Sequence, residues 1–110
     1  MNTAIKDKAA IVGVANTEFS KNSGRSELQL AAEAVAAALN DAGLKPSDVD
    51  GMTTFTMDTS DEIELARAVG IGDLNFYSRV PHGGGAATGL IHQAVMAVAS
   101  GMAETVVCYR

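Results

Sequence analysis

The chain has 110 residues, of which 47% are apolar, and a formal net charge of −5. These values favour one globular domain and argue against a disordered chain. The sequence has no basic cluster of the kind that binds nucleic acid, and no apolar run of membrane-spanning length. Its one cysteine excludes an intramolecular disulfide and a cysteine-based zinc cluster, so a reducing cytoplasm is the simplest compartment.

The first elements predicted are a strand and a helix. Residues 9–14, AAIVGV, form a short apolar run with polar neighbours, which predicts a buried strand. Ser26 then has the character of a helix N-cap, with Gln29 at the capping-box position, and apolar residues follow at helical spacing. Gly43 is suited to the left-handed end of this helix, and Pro46 prevents a rapid restart.

The middle of the chain predicts a strand, a helix and another strand. Residues 51–56, GMTTFT, are rich in strand-forming side chains. Ser60 or Asp61 is expected to cap a second helix that ends at Gly70. Residues 74–80, LNFYSRV, follow as the third predicted strand.

A third helix is predicted from about Ala86 to Ser100, followed by a fourth strand over residues 104–110. The helix is apolar on nearly every side, so it is expected to be buried all round, covered by further chain or by a second subunit. We therefore expect a longer protein, of which these residues are a part. The order β-α-β-α-β-α-β predicts an α/β fold with a mostly parallel sheet.

A glycine run, PHGGGAATG at residues 81–89, stands at the turn from the third strand to the third helix. Such a turn presents free backbone amides to a ligand, and Gly83, Gly84 and Gly85 permit close approach. The spacing departs from the dinucleotide-binding fingerprint, and a phosphate loop would need a lysine that is absent. An esterase-type oxyanion loop and a tight turn that only lets the helix pack closely both stay open.

Three further side chains have alternative interpretations. His82 could enter the same pocket as an acid, base or donor, or could only hydrogen-bond the turn. His92 is expected to be a buried histidine with a hydrogen-bond partner, since it lies within the apolar helix. Cys108 is expected to be a packing residue, because no neighbour would lower its pKa.

Acidic residues cluster before and within the start of the second helix. Helix capping and solvation explain them better than metal binding, so no metal site is predicted. The residues in question are Asp58, Asp61, Glu62 and Glu64.

Three segments together resemble the start of the thiolase superfamily, in the branch of lipid-transfer or sterol-carrier-protein-x-type thiolases. They are AAIVGVANTEFSK, SELQLAAEAVAAALNDAGLKPSDVDGM and PHGGGAATGLIHQAVMAVASGMAETVVCYR. The resemblance implies a five-layer αβαβα fold made of two similar halves, with residues 1–110 forming most of the first half. It also implies a homodimer in which the strand from Asn75 to Val80 lies at the sheet edge and pairs across the interface.

The resemblance further identifies a missing nucleophile. Thiolases carry a catalytic cysteine at the start of the buried helix, and the matching position here is Gly84, give or take one residue. Some members of the lipid-transfer branch act as aldolases, cleaving a carbon–carbon bond in a β-hydroxyacyl-CoA together with a small OB-fold partner. A retro-aldol reaction needs a base and a site for the enolate, but no protein nucleophile.

The function expected from this resemblance is that of an acyl-CoA lyase in lipid or steroid side-chain degradation, with coenzyme A as part of the substrate. Gly83, Gly84 and Gly85 would hold the thioester oxygen, His82 is the candidate catalytic side chain, and the base would come from a later part of the protein. An acetyl-CoA acetyltransferase-like enzyme and a non-catalytic acyl-CoA-binding subunit are the alternatives. The 110 residues alone are expected to be inactive.

Overall fold

The computed structural model describes residues 5–55, 61–81 and 88–110, and within them the helices and strands alternate along the chain. In order, the elements are α1 (Glu27–Ala42), a short 3-10 helix (Pro46–Asp48), β1 (Gly51–Phe55), α2 (Glu62–Val69), β2 (Phe76–Val80), α3 (Gly89–Ala99) and β3 (Val106–Tyr109).

The three strands form one parallel sheet in the order β2-β1-β3. Gly51, the first residue of β1, lies opposite Phe76 of β2 and Val106 of β3. Parallel strands joined by helices are the arrangement that the alternating pattern predicts, so the α/β class with a parallel sheet is confirmed. Within the described residues β2 is an edge strand, as expected for this segment.

The helix ends follow the predicted capping chemistry. The Ser26 hydroxyl accepts the Gln29 N–H at 3.1 Å, and Gly43 adopts a left-handed conformation with φ of 73°. Asp61 caps α2 in the same way, and Gly70 ends it with φ of 94°. Left-handed backbone is inexpensive for glycine alone, which explains why both helices stop where they do.

Helices cover both faces of the sheet. Met52 faces the layer of α1 and α2, whereas the next residue, Thr53, faces α3, because successive strand residues point to opposite sides. The buried residues of the first layer come from α1, α2, β1, β3 and the connecting segments: Val35, Leu39, Val49, Met52, Leu65, Ala66, Ile71 and Tyr109. On the other face α3 contacts all three strands.

The predicted first strand over residues 9–14 is wrong, because these residues form no strand and are largely exposed. Ile11 keeps 69% of its surface in solvent. The segment instead runs along α1: the Val14 N–H donates to the Asp41 carboxylate at 3.0 Å, and a Cβ on Gly13 would lie 2.5 Å from the Ala38 carbonyl oxygen. An apolar run predicts a strand only where another strand edge is available to pair with it.

Helix α3 is buried on one side only, through Leu90, Ala94 and Ala97. Ile91 and Met96, on the opposite flank, are 45% and 41% exposed. The expectation that His92 is buried is therefore wrong for the described residues, since its side chain lies on this exposed flank. The predicted start at Ala86 lies outside the described residues, and the helix ends at Ala99, one residue earlier than predicted.

In the part of the chain that the structure describes, no helix combines the length and the apolar character needed to cross a membrane.

Asp50 holds the starts of all three strands together. Its carboxylate accepts the N–H groups of Glu104 and Thr105 at 3.0 Å and an Asn75 side-chain N–H at 3.3 Å. Its backbone carbonyl accepts the N–H groups of Asn75 and Phe76, which precede or begin β2. Partial burial works to raise the pKa of Asp50, but the Thr105, Glu104 and Asn75 donors outweigh it, so the pKa lies below its ordinary value.

Replacing Asp50 by asparagine should loosen this junction, because an amide carries no charge and accepts fewer hydrogen bonds. We expect the free energy of opening of the Glu104 and Thr105 amides, measured by hydrogen exchange in the full-length protein, to fall by about 1–3 kcal/mol at pH 7. A depressed folded-state pKa gives stability above the ordinary aspartate pKa of about 3.9, and this stability is lost as the pH falls further.

The difference between Asp50→Asn and wild type should therefore shrink when the exchange is measured near pH 3. Asp48→Asn is the matched control, because Asp48 is exposed and its carboxylate accepts the Lys45 N–H. Equal opening free energies for wild type and Asp50→Asn at pH 7 would contradict the role of Asp50 in holding the strand starts together.

Candidate functional site

The site predicted from the sequence lies between β2 and α3. His82, Gly83, Gly84 and Gly85 all fall outside the described residues, so their predicted roles stay predictions. The described residues on either side are Pro81, directly after β2, and Thr88, directly before α3. They fix where this turn leaves the sheet and where it enters the helix.

The turn begins at the carboxyl edge of the parallel sheet. Phe55 and Val80, the last residues of β1 and β2, lie opposite each other, and α2 and α3 both begin after this edge. Ligands of open α/β sheets bind at the carboxyl ends of the strands. Helix N-termini carry partial positive charge and N–H groups without helical partners, which suits an anion or a polarised carbonyl oxygen.

Gly89 allows α3 to start close to the end of β2. A Cβ at this position would lie 3.3 Å from Val80 Cγ1, which is tighter than ordinary van der Waals contact. Close helix packing is the explanation that the tight-turn alternative offered for the whole glycine run. The structure supports it for Gly89, the last glycine of PHGGGAATG, and does not test it for Gly83, Gly84 and Gly85.

An ion pair between a buried carboxylate and a half-exposed arginine lies beside the same edge. Arg79 of β2 donates from Nε and Nη2 to the two carboxylate oxygens of Glu62, both at 3.1 Å. The Glu62 side chain is 5% exposed and that of Arg79 is 50% exposed. The bidentate hydrogen bond to Glu62 raises the pKa of Arg79. The pair connects the first turn of α2 to the strand that leads into the glycine run.

A row of polar side chains lies under the first turns of α3. The Thr53 hydroxyl donates to the Leu90 carbonyl oxygen at 3.2 Å, and the Cys108 thiol donates to the same oxygen at 3.6 Å. Ser78 donates to the Gln93 side chain at 3.2 Å. Ser78, Thr53 and Cys108 are register neighbours on β2, β1 and β3, so the three contacts cross the sheet in one line.

Cys108 has the chemistry of a neutral thiol. Burial of the group raises its pKa, and the hydrogen bond with Thr53 lowers it by less. The residue as a whole is exposed although its thiol contact is partly buried, so the expected packing role is only partly correct. A raised pKa disfavours the thiolate, which argues against Cys108 as a nucleophile.

No set of three His, Cys, Asp or Glu side chains that could hold a metal ion comes together in the ranges 5–55, 61–81 and 88–110. Of the acidic cluster in those ranges, Asp61 caps α2 and Glu62 pairs with Arg79.

Sequence reasoning missed Thr53 and the Glu62–Arg79 pair. The signal for Thr53 is a hydroxyl inside an otherwise apolar, buried strand, because a buried hydroxyl needs a hydrogen-bond partner. Glu62 and Arg79 are separated by 17 positions and belong to different elements, so no local spacing rule connects them.

Models of known protein families give no match to the chain. Two curated proteins are similar to it. The chain is 71% identical over 102 residues to a steroid side-chain-cleaving aldolase of Thermomonospora curvata. It is 63% identical over 106 residues to the 17-hydroxy-3-oxo-4-pregnene-20-carboxyl-CoA lyase of Mycobacterium tuberculosis. These matches cover 93% and 96% of this chain but only 26% and 28% of the relatives, so the chain spans about a quarter of their length.

Two solved structures with similar folds also match the chain. The chain matches the Ltp2-ChsH2(DUF35) aldolase with a TM-score of 0.90 and 70% identity, over 92% of this chain and 26% of that one. It matches a monomeric SCP2-thiolase-like protein of Mycobacterium smegmatis with a TM-score of 0.71 and 26% identity, over 88% of this chain and 22% of that one. The matches support the thiolase-like branch that the sequence resembles.

Removing Arg79 alone should destabilise the fold more than removing Arg79 together with the charge of Glu62. Arg79→Met leaves the buried Glu62 carboxylate without its two hydrogen bonds, and we expect a loss of about 1–3 kcal/mol in the free energy of unfolding. The double variant Glu62→Gln/Arg79→Met should lose less than Arg79→Met alone, because the amide is uncharged.

Urea unfolding followed by circular dichroism measures these differences in the full-length protein. Arg67→Met is the matched control, because Arg67 is an exposed arginine on α2. A double variant that is less stable than Arg79→Met would show that the buried charge is not the cause.

Proposed function

We propose that the full-length protein carrying this chain is a carbon–carbon lyase that acts on the CoA thioester of a steroid side chain. The observation that carries the proposal is 71% identity over 102 residues to a protein named as a steroid side-chain-cleaving aldolase. A second relative at 63% identity is named as a lyase of a 17-hydroxy steroid carboxyl-CoA. Both names describe the same kind of reaction.

The complete protein is proposed to have the thiolase-like αβαβα arrangement. The exposed flank of α3 supports this proposal, because Ile91 and Met96 leave apolar surface in solvent that a second half-domain would cover. The similarity to an SCP2-thiolase-like structure is consistent with it.

The proposed reaction is a retro-aldol cleavage. A base takes the proton of the β-hydroxyl group, the oxygen's electron pair forms a carbonyl, and the bond between the α and β carbons breaks. The electron pair of that bond becomes the enolate of the thioester, which takes up a proton at the α carbon. The products are a steroid ketone and a shortened acyl-CoA, and no group is transferred to the protein.

The contribution proposed for this chain is stabilisation of the enolate. Backbone amides of Gly84 and Gly85 and the N-terminal end of α3 would hold the thioester oxygen as negative charge develops on it. The position of α3, which begins at the carboxyl edge of the sheet, supports this assignment. His82 is the side chain proposed to assist by proton transfer, with the principal base supplied by the remainder of the protein.

We also propose two protein partners. One is a second copy joined through the β2 edge, where Tyr77 is 65% exposed. The other is a small OB-fold subunit; the two-component name of the similar Ltp2-ChsH2(DUF35) aldolase supports a second subunit, and its OB-fold is what the family resemblance implies. One similar structure is described as monomeric, so light scattering of the full-length protein is decisive: a monomer mass would contradict the homodimer.

The full-length protein, supplied with 17-hydroxy-3-oxo-4-pregnene-20-carboxyl-CoA, should release a steroid ketone and a shortened acyl-CoA without free coenzyme A as a co-substrate. Liquid chromatography with mass spectrometry measures both products. An absence of cleavage, with and without an OB-fold subunit, would contradict the proposal.

Gly84→Cys tests the assignment of the missing nucleophile. We expect this variant to gain no efficient thiolysis of acetoacetyl-CoA, because the acid–base residues of a thiolase would still have to match. Ready formation of acetyl-CoA by Gly84→Cys would favour the acyltransferase alternative.

A further inference from the structure

A hydrogen bond joins Thr53, a buried strand residue, to α3. Thr53 lies in the central strand β1 and is completely buried. Valine has nearly the same shape and would fill the same volume without a polar group to satisfy. The hydroxyl therefore contributes a directional hydrogen bond rather than volume. This bond joins Thr53 to the carbonyl oxygen of Leu90, 37 positions along the chain.

The bond reaches α3 next to its start. Leu90 is the second residue of the helix, so the carbonyl that Thr53 holds lies within the first turn. The Cys108 thiol approaches the same oxygen from β3, and its raised pKa keeps it protonated as a donor near neutral pH. The first turn is thus held from two neighbouring strands, while Ser78 on β2 holds Gln93 one turn later.

Apolar packing alone would restrain this helix poorly. The buried face of α3 consists of Leu90 followed by two alanines, Ala94 and Ala97. Hydrophobic contact is not directional, and a smooth alanine surface permits the helix to shift or turn at little cost. Hydrogen bonds restrict both distance and angle, so the polar row fixes the rotation and the height of α3 over the sheet.

We infer that Thr53 is a positioning residue for the amide end of α3, supported by Cys108 on the neighbouring strand. The inference rests on the proposed function, in which that end of the helix holds the enolate oxygen. Stabilisation of a developing charge depends on donors placed to within a fraction of an ångström. Loss of the Thr53 hydroxyl should therefore slow the chemical step and leave substrate binding nearly unchanged.

The test compares Thr53→Val with Thr53→Ser in the full-length protein. Thr53→Val keeps the volume and removes the donor, and we expect kcat to fall about tenfold or more while KM stays within about twofold. Thr53→Ser keeps the donor and should restore most of kcat. Val35→Ala is the control, because it leaves a cavity in the core on the opposite face of the sheet. It should lower thermal stability without lowering kcat.

A second readout does not depend on catalysis. Hydrogen exchange of the amides in residues 88–93 should be faster in Thr53→Val than in wild type and near wild type in Thr53→Ser. Wild-type kcat together with wild-type exchange in Thr53→Val would overturn the inference, as would equal losses in both variants. A wild-type enzyme that cleaves no substrate would refute the proposed function, and the exchange experiment would still decide the role of Thr53.

Discussion

The architecture depends on the hydrogen bonds that converge on Asp50. This residue immediately precedes the central strand, and its side chain and backbone together contact the segments that begin β2 and β3. A charged acceptor shared by two neighbouring backbone N–H groups fixes the relative height of the strands. Because β1 and β2 are parallel, start together and have the same length, they also end together, and α2 and α3 both begin after this edge of the sheet.

Polar interactions join the sheet to its helices on both faces. On the side of α2, Arg79 and Glu62 join the second strand to the helix start. On the other side, Thr53 connects the central strand to the first turn of α3. Pro81, the first residue of the glycine run, directly follows β2, the strand that carries Arg79. A site for negative charge at such a turn would gain its accuracy from the rigid sheet rather than from the turn itself.

Features encoded by neighbouring residues could be predicted from the sequence, and features that depend on distant partners could not. The caps at Ser26, Asp61, Gly43 and Gly70 follow from local backbone chemistry and are confirmed. The strand over residues 9–14 was predicted from apolar character alone, and the prediction failed because pairing requires a neighbouring strand. Arg79 with Glu62, and Thr53 with Leu90, become partners only after the chain has folded.

We propose carbon–carbon cleavage without a covalent acyl-enzyme, with Gly84 at the position where the resemblance to thiolases places their cysteine. The most direct test is the intact mass of the full-length protein, quenched while it turns over the steroid CoA thioester. We expect the unmodified mass throughout, while a shortened acyl-CoA accumulates in solution. An acyl adduct that forms and decays at the rate of turnover would contradict it.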